Sequence, residues 1–167
     1  MTTVHLSKHC LIMVSHLDKK NNPIMVNVGN KDITKRIAEA EGEIVFDKLT
    51  YKKIENLKSK KGSIKNIAIV AGILGAKETS RIIPLCHNIP IDSVNVEITK
   101  NAKMNSLKVY AKVQTSSKTG VEMEALTAVT VSCLTIYDMC KYLNKSIKIK
   151  NIKLVSKKGG KSANFKV

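Results

Sequence analysis

Residues 83–87 carry two neighbouring side chains that could do chemistry, a thiol at Cys86 and an imidazole at His87. Pro84 ends the helix predicted before them, so both lie on a short loop that flanking elements can hold in place. A cysteine nucleophile also needs a base and a group that orients the base, and neither can be identified from the sequence. The pair therefore belongs either to a site or to an incidental structural contact.

The start of a second predicted helix, at residues 118–124, offers a place for an anion. Lys118 and Gly120 precede the helix, and Glu122 and Glu124 lie in its first turn. Unpaired backbone N–H groups and the helix dipole favour a phosphate at such a start. The two glutamates also have a plainer interpretation, because acidic side chains stabilise the first turn of any helix.

Asp138 and Lys141 are three residues apart near the end of the same helix, so they are neighbours on one face. A surface ion pair is the common explanation of this spacing and stabilises little. The alternative is acid–base chemistry, with the pKa of Lys141 lowered by apolar surroundings and Asp138 holding it in place. Glu124 lies fourteen residues before Asp138, roughly 21 Å along a helix at ~1.5 Å per residue. A nucleotide-sized ligand that touched both would lie between two subunits.

The C-terminal residues 157–162 combine lysines with two adjacent glycines. A P-loop is excluded, because that motif needs a glycine where Val155 stands and a helix after it. The N–H groups of Gly159 and Gly160, with the ammonium groups of Lys157 and Lys161, can still surround phosphate oxygens. A frayed basic terminus is the alternative interpretation.

The composition gives a formal net charge of +16, from 29 basic and 13 acidic residues. Such an excess favours an anionic partner. A genomic bias towards lysine would also produce it, since Arg36 and Arg81 are the only arginines in the sequence. Lysines inside motifs therefore carry more weight than the total charge does.

Cysteine spacing and hydropathy restrict the compartment. The four cysteines form no C-x-x-C pair, so neither a zinc site nor a disulfide framework is predicted, and reduced thiols are expected. No apolar run approaches the ~20 residues that cross a bilayer, so no membrane partner is predicted. We expect a cytoplasmic protein, with a cropped organelle-targeting remnant at the N-terminus as the alternative.

These candidate groups need a scaffold. Residues 1–32 are polar and irregular and are predicted to be an N-terminal arm, whereas residues 33–167 are predicted to be one domain. Alternating apolar residues predict strands, and apolar spacings of three and four predict helices. Ser63 is a predicted N-cap, and Gly72 and Gly75 give the following helix a small-residue face suited to close packing. The predicted elements are strand 33–46, short helix 51–57, helix 63–83, strands 93–99 and 107–115, helix 121–143 and strand 147–155.

The order of these elements is that of an α+β, ferredoxin-like split βαβ sandwich, with an antiparallel sheet and helices packed on one face. RNA-binding RRM domains share this order and a basic charge, but they need aromatic side chains on the sheet. Residues 107–115 contain only Tyr110, and aromatic residues make up 4% of the chain. No nucleic-acid partner is therefore predicted.

Several of these segments together resemble the cyclic pyranopterin monophosphate synthases. The two most specific are TGVEMEALT at residues 119–127 and LTIYDMCK at residues 134–141, in that order. Further matching segments are residues 25–28, 33–36, 71–77, 83–87 and 159–162. This sequence departs from the usual pattern of the family at Asn27, Gly29, Asn88 and Ala163.

The resemblance implies a lyase of molybdenum cofactor (molybdopterin) biosynthesis. Such an enzyme converts (8S)-3',8-cyclo-7,8-dihydroguanosine 5'-triphosphate to cyclic pyranopterin monophosphate with release of diphosphate, directly after a radical enzyme that makes its substrate. The resemblance also implies a homo-oligomer, a hexamer formed as a trimer of dimers, with active sites at subunit interfaces. No cofactor or metal site is expected, although Mg²⁺ accompanying the triphosphate is left open.

The resemblance assigns roles to individual residues. Asp138 and Lys141 match the catalytic pair, with Lys141 as the main acid/base. His87 and Glu124 would act at the base and sugar, and the lysines would neutralise phosphate charge. The positions that match substrate-binding and other active-site residues are Lys61, Leu85, Cys86, His87, Glu122, Met123, Glu124, Lys157 and Lys161.

Overall fold

The structure, a computed structural model, describes residues 16–18, 20–54, 56–160 and 164–167. Lys161 and much of the predicted N-terminal arm lie outside these residues. The division of the chain at residue 32 stays a prediction. The strands are β1 (Thr34–Val45), β2 (Lys58–Ser59), β3 (Gly62–Ser63), β4 (Ser93–Asn101), β5 (Ser106–Ser117), β6 (Lys148–Lys158) and β7 (Phe165–Lys166). The α-helices are α1 (Lys48–Lys53), α2 (Ile64–Ile82) and α3 (Glu122–Cys140).

Five of these strands form one antiparallel sheet in the order β4-β5-β1-β6-β7. The central strand β1 is paired on both sides, with Ala40 opposite Ala111 of β5 and Leu154 of β6. Leaving aside the short β7, this is the strand order of a split βαβ domain. The predicted α+β, ferredoxin-like fold is confirmed.

The two faces of β1 show on which side the core lies. Ala38, Ala40 and Ile44 are buried beneath the helices, as the period of two along a strand requires. The alternate residues point to the other face, where the Glu41 carboxylate lies 2.8 Å from Lys108 Nζ and 3.5 Å from Lys153 Nζ. The helices therefore cover one face of the sheet, and the outer face carries charged pairs.

The close packing predicted for α2 is confirmed. A Cβ placed on Gly72 would come within 2.2 Å of Ser132 Oγ, and one on Gly75 within 2.8 Å of the Val131 side chain on α3. Ser132 Oγ, which is buried, donates a hydrogen bond to the Ala68 carbonyl at 2.9 Å. Only glycine allows the two helices to approach this closely.

Four large apolar residues of α2 point away from this contact, whereas Ile64, Ile69 and Ile73 pack in or against the core. Ile67, Val70, Leu74 and Ile82 follow one face of the helix, and Val70 and Leu74 are 56% and 55% exposed in the single chain. We call these four residues the apolar stripe. Exposed apolar patches of this kind are typical of surfaces that bind another protein.

Several predicted boundaries moved. The short helix begins at Lys48 rather than 51, because the Asp47 carboxylate accepts from the N–H groups of Leu49 and Thr50. The predicted loop 58–62 contains most of the β2–β3 hairpin, and the last strand continues to Lys158. Helix α3 is long and apolar enough to cross a membrane by length and composition alone. It packs against α2 and the sheet, however, which identifies it as a core helix.

Candidate active site

The loop after α2 and the first turn of α3 enclose a cavity of about 350 Å³, which we call the main cavity. The size suits part of a nucleotide-like ligand. Its walls include Leu85, Cys86, His87, Glu122, Met123 and Glu124. The structure therefore brings together six of the predicted site residues from two segments of the chain.

Glu124 is the most buried carboxyl group of the main cavity, with 5% of its surface exposed. Burial raises its pKa, and the nearby Glu122 carboxylate raises it further, against a lowering contribution from the backbone N–H of Glu124. Burial and Glu124 together also raise the pKa of the Cys86 thiol. Cys86 is thus a neutral wall of the cavity rather than an activated nucleophile.

His87 is fixed from the N-terminal side. Its Nε2 lies 2.7 Å from the Val26 carbonyl oxygen. Because a carbonyl only accepts, Nε2 carries the proton in this contact, and Nδ1 has no part in it. The contact therefore fixes the orientation of the imidazole.

A second, smaller hollow of about 150 Å³ adjoins the main cavity, with Lys31, Thr119, Gly120 and Glu122 common to the walls of both. We call it the basic hollow, because five cations line it: Lys31, Arg36, Lys118, Lys157 and Lys158. Glu122 is the only acidic residue among its lining residues in the described part of the chain. The Lys157 ammonium lies 3.2 Å from this carboxylate.

Backbone geometry completes the basic hollow. Gly159 and Gly160 have φ values of +94° and +85°, which disfavour any other residue. A Cβ on Gly159 would fall 2.2 Å from the Lys35 carbonyl oxygen, and one on Gly160 would collide with the Arg36 guanidinium. Arg36 in turn donates to the carbonyl oxygens of Ser117 and Lys118, both at 3.0 Å. A cation-lined hollow with exposed backbone suits phosphate oxygens.

Several wall residues of these cavities were not among the predicted site residues. The N-terminal arm contributes His16, Val26, Val28 and Lys31. No periodicity marks an irregular segment, so its contacts with the domain are invisible before folding. Arg36 belongs to a segment that carried the family resemblance, but its position in β1 beside the glycines appears only in three dimensions.

A separate cluster lies at the far end of α3. Asp138 Oδ1 is 2.8 Å from Lys141 Nζ, and Asp138 Oδ2 is 2.7 Å from Lys61 Nζ, which the β2–β3 turn carries there. We call these three residues the Asp138 cluster. The side chains are each about half exposed. None of them lines the main cavity or the basic hollow.

The electrostatics of the Asp138 cluster correct one expectation. The pKa of Asp138 is lowered to about 2, mainly by the hydrogen bond from Lys141 and next by the one from Lys61. The Asp138 carboxylate raises the pKa of Lys141, whereas apolar surroundings were expected to lower it. The reason is that the cluster is open to solvent in the single chain, so desolvation is weak and the ion pair dominates. Lys141 is accordingly a protonated group.

Potential metal ligands are scattered in the described residues. No three His, Cys, Asp or Glu side chains there are grouped closely enough to hold a metal ion. The expectation of no resident metal, and the open question of Mg²⁺, stay predictions.

The fold and these cavities define the class of protein. It is an α+β protein with a cavity lined by titratable side chains and an adjoining hollow suited to an anionic ligand. The MoaC family model matches residues 25–160. The chain belongs to the MoaC family, which confirms the resemblance seen in the sequence.

Relatives match nearly the whole chain. A "cyclic pyranopterin monophosphate synthase" of Helicobacter pylori (strain Shi470) is 47% identical over 152 residues, which is 91% of this chain and 96% of that protein. The protein of the same name from Campylobacter jejuni (strain 81-176) is 48% identical, covering 91% of this chain and 97% of its own length. That of Helicobacter hepaticus is 47% identical and covers 92% and 97%.

Proposed function

We propose that this chain is a cyclic pyranopterin monophosphate synthase, a lyase of molybdenum cofactor biosynthesis. It would convert (8S)-3',8-cyclo-7,8-dihydroguanosine 5'-triphosphate to cyclic pyranopterin monophosphate and diphosphate. One observation carries the proposal beyond the family name: six of the predicted substrate-binding residues line one cavity, and that cavity adjoins the cation-lined basic hollow. A substrate with a heterocycle at one end and a triphosphate at the other matches this pair of spaces.

The reaction opens a purine-derived ring, forms a pyran ring and closes a cyclic phosphate, so protons must move at the heterocycle while phosphate charge is neutralised. In the main cavity, the raised pKa of Glu124 favours its protonated form, which can donate. His87, with Nε2–H held by the Val26 carbonyl, can accept a proton at Nδ1. Donor and acceptor thus line the same space.

The basic hollow would receive the phosphates. Lys157, a predicted phosphate contact, lines it together with Lys118 from the predicted anion site before α3, and Lys31, Arg36 and Lys158 belong to the same wall. Lys161, also predicted to bind phosphate, lies outside the described residues. Side-chain cations would supply most of the neutralisation, and Mg²⁺ travelling with the triphosphate would add to it. No resident cofactor is needed in this scheme.

The Asp138 cluster would complete the site from a second subunit. Glu124 and Asp138 both lie on α3, about 21 Å apart at 1.5 Å per residue. This separation supports a homo-oligomer, a hexamer built as a trimer of dimers, in which Lys141 and Lys61 of one chain face the main cavity of another. The exposed apolar stripe supports association of chains. Lys141, as a protonated group held by Asp138, would act first as an acid.

Two further points complete the proposal. The outer face of the sheet, where an RRM stacks bases, carries Glu39, Glu41 and Glu43 at its centre, and these carboxylates disfavour an RNA partner.

The relatives reported above come from bacteria, so the cytoplasm is the proposed compartment and an organelle has no support among them. The substrate would come from a radical enzyme acting on guanosine triphosphate.

Anaerobic turnover tests the proposal. Wild-type protein, Lys141→Ala and the control Lys145→Ala would each be incubated with the cyclic dihydroguanosine triphosphate, following diphosphate and the pyranopterin product. Lys145 is an exposed lysine four residues beyond Lys141 and outside the Asp138 cluster. We expect product from wild type and Lys145→Ala, and a loss of at least about 100-fold for Lys141→Ala. A folded wild-type oligomer that makes no product would overturn the assignment.

A further inference from the structure

The main cavity is poor in flat side chains. Among its described lining residues the only planar rings are the imidazoles of His16 and His87, and no Phe, Tyr or Trp is present. The guanine-derived part of the proposed substrate contains a planar ring that gains from a flat partner. The His87 ring is positioned by the Val26 carbonyl, and its Nδ1 is proposed above for proton transfer. His16 is the other ring in the cavity wall, and no role is assigned to it above.

The backbone around His16 is well organised for an irregular segment. The Ile24 N–H donates to the His16 carbonyl at 2.9 Å, and Leu17 pairs with Pro23 in an antiparallel bridge. Between them, the Asp18 carboxylate accepts from the N–H groups of Lys20 and Asn22 at 2.7 and 2.8 Å. We call residues 16–18 and 20–24 the arm turn. The hydrogen bonds within this turn hold the backbone of His16 in place.

The segment that follows the arm turn is tied to the domain through residues of the two cavities. The Val26 carbonyl accepts from His87 at 2.7 Å, and the Gly29 carbonyl accepts from Lys118 Nζ at 2.5 Å. Val26, Val28 and His16 then all line the main cavity. The arm is thus a wall of the site, held by the same groups that would meet the substrate.

We propose that His16 is a further substrate-binding residue, whose imidazole packs against the guanine-derived ring in the main cavity. The inference rests on the proposed function for the identity of the ligand, and on the geometry of the arm turn for the residue. The His16 side chain is exposed and lines the cavity, so a bound ring would cover it. The contact positions the heterocycle next to His87 and Glu124.

Four variants separate packing from hydrogen bonding. His16→Ala removes the ring, His16→Phe keeps a flat ring without nitrogen, and His16→Gln keeps a polar side chain without a ring. The control is Lys20→Ala, on the same turn but outside the cavity walls. From the usual effect of base stacking, we expect His16→Ala and His16→Gln to lower kcat/KM by about tenfold or more, mainly through KM. His16→Phe and Lys20→Ala should stay within about threefold of wild type.

Direct binding gives the second measurement. Substrate affinity would be measured by anaerobic equilibrium dialysis in the Lys141→Ala background, where turnover is removed, with and without each His16 change. Weaker binding of His16→Ala that His16→Phe restores supports the inference. Equal affinity for His16→Ala and the background, or rescue by Gln instead of Phe, overturns it.

Failure of the proposed function would be recognised separately, since the wild-type protein would then make no product. In that case the affinity for guanosine triphosphate would be measured on the same variants. Weaker binding by His16→Ala that His16→Phe restores would support the ring contact, and equal affinities would contradict it. Circular dichroism and thermal unfolding would confirm that all the variants are folded.

Discussion

The separation of Glu124 from Asp138 along α3 leads to a test that mixes two inactive proteins. Glu124→Gln alters the main cavity, and Lys141→Ala alters the Asp138 cluster at the other end of the helix. If each site pairs the cavity of one chain with the cluster of another, a random equal mixture leaves about half of the cavities and half of the clusters intact. About a quarter of all sites then contain no change, so activity should return to about 25% of wild type.

The assay is diphosphate release under anaerobic conditions after the two chains are co-expressed with different tags. Tandem purification isolates assemblies that contain both chains. The matched control mixes Glu124→Gln with His87→Ala, because both changes lie in the same cavity and every site remains altered. Mixed assemblies of the first pair that stay at the background of the single variants would refute the reasoning and place the whole site within one chain.

Two stability predictions follow from packing and burial. Gly72→Ala should lower the free energy of unfolding by about 1–3 kcal/mol, since the new methyl collides with Ser132 Oγ. Thermal unfolding measures the loss, and Lys77→Ala, at an exposed position of the same helix, is the control that should leave stability unchanged. A Gly72→Ala variant as stable as wild type would contradict the close contact. Burial raises the pKa of Glu124 above 4.5 in the fold, so ionisation of this carboxyl destabilises the native state progressively as the pH rises from 4.5 through the raised pKa. Glu124→Gln should therefore be more stable than wild type in urea at pH 7, with the gain shrinking towards pH 4.5; a destabilised variant at pH 7 would argue against it.

The fold could be predicted because its signals are local. Alternation along β1 distinguishes buried Ala38 and Ala40 from the charged outer face without any knowledge of the partner strands. Ser63 caps α2 as predicted, accepting from the N–H of Asn66 at 3.2 Å. These rules act within a few residues, so sequence spacing is enough to apply them.

The site could be predicted only in part, because its properties depend on distant segments. The pKa of Lys141 follows from an open ion pair with Asp138, a balance of exposure and burial that spacing along α3 does not reveal. Lys61, which also binds Asp138, is 77 residues away in the chain. The wall formed by the arm depends on backbone carbonyls such as that of Val26, which every residue type possesses.

The apolar stripe has a consequence for how this enzyme must be handled. Ile67, Val70, Leu74 and Ile82 are exposed in the single chain. If chains associate through them, as proposed, the covered fraction depends on protein concentration by mass action. If the site is shared between chains, dilution removes catalytic groups as well as stabilising contacts. Specific activity would then fall in very dilute samples, and rate constants taken at different enzyme concentrations would describe different mixtures of species.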